Sequence, residues 1–245
     1  MAEYQILRRA PITEALIDIR VKLTPDLDVR QIESIYESIK PDYPQKQEQR
    51  LSQVEVEQKP GEGLIKSSTK INGYRYISSD KKRIAQARLD GFTFSRLHPY
   101  TTWEDLRSEA YKLWLLYKQV TTPELITRVA LRYINNLNIP MPIKDFSDFL
   151  TAPPQVPEEL PQGVSSFITR VVIHEPTIGT NAIITQALEQ IATDVVPIIL
   201  DIDVFKLQSE GIEEKEAWDT IEKLRNFKNQ IFFKSITNKL KEMYK

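Results

Sequence analysis

Between Leu51 and Leu97 the chain presents five strand-like segments with almost no room between them: Val54 to Lys59, Leu64 to Lys70, Tyr74 to Ser78, Arg83 to Leu89 and Phe92 to Leu97. Turn residues punctuate the run, as Pro60-Gly61-Glu62-Gly63, Asn72-Gly73 and Asp90-Gly91. A parallel crossover needs about a dozen residues or more, so strands this close must return on themselves. The spacing predicts an antiparallel meander.

Other elements attach to it. Ala15, Ile17, Ile19, Val21 and Leu23 alternate with Glu14, Leu16, Asp18, Arg20 and Lys22, the period of a strand with one buried face. Asp28 with Gln31 forms a capping box, and Val29, Ile32, Tyr36 and Ile39 make a short helical stripe that stops before Pro41. Thr102 with Asp105 starts a second helix, Trp103 to Lys118, and Leu125 to Asn135 reads as a strand. Pro140 to Gly163, with six prolines, reads as a long connection around one helical patch, Ile143 to Leu150. Strands follow at Phe167 to Ile173, near Ala182 to Leu188, and at Ile198 to Leu207, before a long final helix, Glu213 to Met243, acidic at its start and basic toward its end. The order predicts an α+β fold: antiparallel sheet with helices on one face, in a meander-plus-helix unit that occurs twice. The expectation is one cooperative domain over 1–245, made of halves at about 1–120 and 121–245, with a proline-rich connection at 152–163.

Composition narrows the function classes. With 33 basic and 34 acidic side chains the net charge is −1, which supplies no overall field for nucleic acid or an anionic membrane. No cysteine is present, so there is no disulfide, thiolate metal site or thiol nucleophile, and a reducing cytoplasm is the expected location. No apolar run approaches the roughly 20 residues a membrane helix needs, and the first residues lack a signal-peptide layout.

Candidate site residues cluster near the middle. Arg128 and Arg132 project from one face of a strand, with Ala130 between them, and Arg96 ends a preceding strand. Together they read either as an anion pocket or as partners of the carboxylates Glu14, Asp18, Asp201 and Asp203. Those carboxylates are the alternative hard-cation set, but without histidine or diagnostic spacing no metal is expected. His98, beside Arg96 and Tyr100, is the best acid–base candidate, and Asn135 completes the tentative ligand set; a hydrogen-bonding structural role is the competing reading. His174 closes a strand at a turn. No nucleophile elbow, P-loop or dinucleotide fingerprint occurs, so no catalytic residue and no cofactor are assigned. The aromatic stripes of Trp103, Trp114 and Tyr117, and of Phe227, Ile231, Phe232 and Ile236, read as core. Lys228 to Lys245 reads as a solvated basic face, with nucleic-acid contact as the alternative.

Pro11-Ile-Thr-Glu-Ala-Leu-Ile-Asp-Ile-Arg, Gly91-Phe-Thr-Phe-Ser-Arg-Leu-His-Pro-Tyr with Trp103, Leu131-Arg-Tyr-Ile-Asn, Leu200-Asp-Ile-Asp-Val-Phe and Lys228-Asn-Gln-Ile-Phe-Phe-Lys-Ser-Ile-Thr resemble a sporadically distributed bacterial family of uncharacterised proteins of about this length. The resemblance implies an accessory role of the defence or toxin–antitoxin kind. The expected function is non-enzymatic binding or regulation, with a protein partner or a small anionic ligand. The alternative is a nucleotide or nucleic-acid binding or processing protein using the arginines.

Overall fold

The computed structural model describes residues 7–59, 62–188 and 194–245, with side chains described outside 53–68. Its strands are β1 Ile12–Lys22, β2 Gln45–Lys59, β3 Glu62–Ile77, β4 Arg83–Arg88, β5 Gly91–Leu97, β6 Leu125–Pro140, β7 Phe167–Glu175, β8 Thr180–Leu188 and β9 Val195–Ile212. Helices α1 Val29–Glu33 and α2 Ile35–Ile39 precede β2, α3 Trp103–Thr121 follows β5, and α4 Glu214–Ser235 and α5 Asn238–Glu242 follow β9. The strands join in one antiparallel sheet, ordered β2-β3-β4-β5-β1-β6-β9-β8-β7. The fold is α+β.

Each half places its opening strand beside its own closing strand: β1 pairs with β5, and β6 with β9, and a helix follows each closing strand. The two opening strands then pair with each other, from Ile12 opposite Asn135 to Lys22 opposite Leu125. Alternation decides which face is covered. Ala15, Ile17 and Ile19 are fully buried and lie opposite Tyr133, Leu131 and Val129 of β6. Phe92 and Phe94 continue that face on β5, and Leu200, Ile202 and Val204 on β9. Onto it pack Trp114 and Tyr117 of α3, with Phe92 ring centroids 6.2 and 5.9 Å away, and the stripe Ala217, Ile221, Leu224 and Ile231 of α4. Among the described residues no helix is long and apolar enough to cross a membrane.

Several boundaries differ from those expected. Asn72-Gly73 is no hairpin turn: β3 runs through it, with Gly73 paired to Gln49 on one side and Arg88 on the other. A Cβ on Gly73 would stand 2.2 Å from the Ala87 carbonyl oxygen, so glycine serves close strand approach there. Pro60 and Gly61, read as part of a turn, lie outside the described residues. The capping box at Asp28 and Gln31 is present, but the first helix breaks at Ser34, whose hydroxyl donates to the Gln31 carbonyl at 2.6 Å. The final helix also breaks. Ile236 is extended, and Thr237 caps α5 while its backbone N–H donates to the Phe149 carbonyl (2.9 Å) and its hydroxyl to that of Asp148 (2.6 Å). The segment docked there is the 3-10 turn Phe146–Asp148, all that forms of the helical patch expected at Ile143 to Leu150.

Residues 152–163 contain no strand or helix and are mostly exposed. Cleavage there would part β6 from β9, yet the two share a ladder from Ile126 to Pro140. Limited proteolysis should therefore nick this segment and leave fragments that co-elute and unfold in one transition. Two fragments that fold separately would contradict a single cooperative unit.

Candidate functional site

The sheet face away from the helices carries a chain of charges across five strands. Asp18 of β1 is its hub, 6% exposed. It accepts from Arg128 Nη1 of β6 (2.8 Å), the Thr93 hydroxyl of β5 (2.7 Å), Arg88 Nη2 of β4 (3.2 Å) and Arg20 Nε of its own strand (3.2 Å). Arg128 turns its other amino group to Asp203 of β9 (3.0 Å) and lies over the Phe205 ring, 4.7 Å from the centroid. Arg88 also donates to Asp90 (3.0 Å), which pairs with Arg20 as well. Four residues further along β6, Arg132 grips Asp201 bidentately, at 2.8 and 2.5 Å. Four arginines and four aspartates thus cancel, and strand alternation puts all but Asp90 of the turn on one face. Burial raises the Asp203 carboxyl above its ordinary range, partly offset by Arg128 and Arg132. The hydrogen bonds that Arg132 donates to Asp201 hold its guanidinium more firmly protonated than usual.

Of the five tentative ligand residues, only Arg128 and Arg132 meet here. Both are occupied by carboxylates, so the ion-pair arrangement is what the geometry displays. Asp18, Asp201 and Asp203, three of the four carboxylates weighed as cation ligands, are the ones they occupy; Glu14 is not among them. Arg96 does not join them. It lies opposite Ala15, on the helix face, because the β1–β5 register gives it the parity of Phe92 and Phe94. His98 is exposed just past β5, its Nδ1 3.3 Å from the Ile12 carbonyl oxygen. Asn135 is buried at 1% exposure on the helix face, where its Nδ2 donates to the Leu200 carbonyl at 2.9 Å. The five tentative ligand residues are therefore split between two faces and a loop, and do not form one pocket.

Two features escaped sequence reasoning. Arg83 of β4 stands directly opposite Arg96, beside α3. Lys228, read as part of a solvated basic face, is 8% exposed. Its ammonium lies 3.7 Å from the Tyr133 ring centroid and donates to Asn229 Oδ1 at 2.6 Å, and Tyr133 in turn shares a hydrogen bond with the Tyr100 hydroxyl (2.9 Å). Burial, with Arg225 nearby, lowers the Lys228 pKa to about 7. The signal was present: Lys228 interrupts the stripe of Ala217, Ile221, Leu224 and Ile231 at helical spacing.

No known protein family matches this chain, and no curated protein is similar to it.

Proposed function

We propose that this chain is a non-enzymatic binding protein that recognises another protein across the uncovered face of its sheet. The observation that carries this reading is the charge balance at the centre of that face. There Arg20, Arg88, Arg128 and Arg132 are all paired with internal carboxylates, which leaves little surplus positive charge for a polyanion; Arg75 and Arg170 share the face on flanking strands without an ion pair among the described residues. The same face exposes Ile168, Val172 and Leu207 at 74, 56 and 61%; strand register sets Leu207 directly opposite Arg128, and Ile168 and Val172 opposite Ala187 and Ile183 of the intervening β8. Exposed aliphatics around a neutral polar centre are what a protein surface can cover with complementary packing. The bacterial sequence resemblance supports an accessory module of the defence or toxin–antitoxin kind, and the absence of cysteine is compatible with the cytoplasm.

The test is a native-host pull-down followed by reconstitution with the purified partner. Val172→Asp with Leu207→Asp should abolish the reconstituted complex, whereas Leu115→Asp on exposed α3 surface should not. A complex insensitive to the sheet-face pair would overturn the assignment of the surface. Reproducible hydrolase or nucleotide turnover with Mg²⁺ that disappears in His98→Ala would overturn the non-enzymatic reading.

A further inference from the structure

A cavity of about 260 Å³ opens on the other side of the sheet, between the ends of β4 and β5 and the first turns of α3. It is lined by Arg83, Phe94, Arg96, Thr101, Asp105 and Glu109, among others. We propose that this cavity is a binding site for one small oxyanion, a phosphate or the terminal phosphoryl group of a larger molecule, held between Arg83 and Arg96.

The argument starts from register. Arg83 and Arg96 are directly opposed across β4 and β5, and like charges in that position repel unless something negative lies between them. On the uncovered face every arginine of the network has a carboxylate at direct ion-pair distance. Here the compensation is incomplete. Arg83 approaches Glu109 at 3.6 Å, but that carboxylate already accepts the Tyr43 hydroxyl at 2.8 Å, and the Arg83 guanidinium rests over the Tyr43 ring. Among the described residues, Arg96 has no carboxylate within ion-pair distance, and its Nε is buried without a hydrogen-bond partner.

The remaining acids do not fill the gap. Asp105 is held by the hydroxyls of Thr101 and Thr102 at the start of α3, and Asp80 by Ser78 Oγ (2.5 Å) and the Lys82 backbone N–H (3.0 Å). Both act on Arg96 only through space. A buried arginine donor left unmade is costly, and a bidentate oxyanion is the group whose geometry matches a guanidinium fork. Volume sets the size of the guest. At about 260 Å³ the cavity lies just below the roughly 300 to 1,000 Å³ of drug-sized sites, which gives room for one anionic group, with anything attached to it extending outward. The inference stands apart from the protein-docking face, since the two sites lie on opposite sides of the sheet.

Calorimetric titration of inorganic phosphate into the full chain tests it. Wild-type protein should bind phosphate, Arg96→Gln should weaken binding at least tenfold, and Arg96→Lys, which keeps the charge and loses the fork, should weaken it less. Arg170→Gln on the distant edge strand β7 should change nothing. If Arg96→Gln fails to fold, the comparison of wild type with Arg96→Lys decides. Absence of phosphate binding by wild type, or equal binding by wild type and the Arg96 variants, overturns the proposal. Acetate provides the last arm: affinity equal to that for phosphate would assign the cavity to carboxylates and overturn its phosphate character.

Discussion

Replacing Asp18 with alanine should destabilise the protein by about 3–5 kcal/mol, the cost of breaking a buried ion pair from one side. Asp18 satisfies Arg88, which is 8% exposed, and one end of Arg128, and it fixes the Thr93 hydroxyl between itself and Arg88. Without it Arg88 keeps Asp90 as its one carboxylate, and Arg128 keeps Asp203, while both guanidiniums stay where strand alternation holds them. Asn at the same position keeps the shape and an acceptor for Thr93, so Asp18→Asn should recover part of the loss. Arg132→Ala is the useful contrast. That side chain is 41% exposed and has one partner, so its loss should cost only about 1–2 kcal/mol. Urea denaturation of the three variants orders them, and an Asp18→Ala protein as stable as wild type would remove the network from the account of stability.

Lys228→Met should have the opposite sign, raising stability at neutral pH by about 3 kcal/mol. A fall in pKa from 10.5 to about 7 corresponds to roughly 5 kcal/mol of penalty on the charged form, from burial first and Arg225 second. The Tyr133 ring beneath the ammonium and the Asn229 side-chain oxygen offset part of that. The pH dependence follows from linkage. Below pH 7 the lysine is protonated folded and unfolded, and the penalty is present in full. Between about 7 and 10.5 the unfolded chain holds a proton that the folded chain has released, so wild-type stability climbs with pH. Other groups face this one: Tyr133 from β6, itself pushed far up by burial; Tyr100, also raised by burial; and Arg225 from the same helix. Measuring wild type against Lys228→Met at each pH from 6 to 9 cancels their shared contribution. The advantage of the methionine variant should shrink as pH rises. A constant difference would mean that the lysine does not titrate in this window.

Much of this was legible in residue order. The alternation from Ala15 to Val21 marked the buried face of the central strand, and the polar partners at Asp28 and Gln31, and at Thr102, marked real helix starts. What residue order cannot contain is the parity of one strand against its neighbour. Arg96 and Arg128 looked like companions because both sit on strands flanking α3, but one residue of register sends their side chains to opposite faces. Asn72-Gly73 misled for a related reason. It is a strong hairpin signal, yet here tertiary packing uses the missing Cβ for close passage beside Ala87. Lys228 was misread by counting charge along the last helix instead of following its apolar stripe.

The pairing of β1 with β5 and β6 has a consequence for how the chain is made. An emerging N-terminal strand has no neighbour until Gly91–Leu97 has been synthesised, and its other edge stays open until Leu125–Pro140 follows. The meander β2 to β5 can zip locally in the meantime, but the centre of the sheet closes late and only by joining segments far apart in sequence. Such closure is slow, and the open edge is sticky while it lasts. On the ribosome, therefore, this protein's most vulnerable interval runs from emergence of the first strand to arrival of the sixth, when a chaperone would have most to protect.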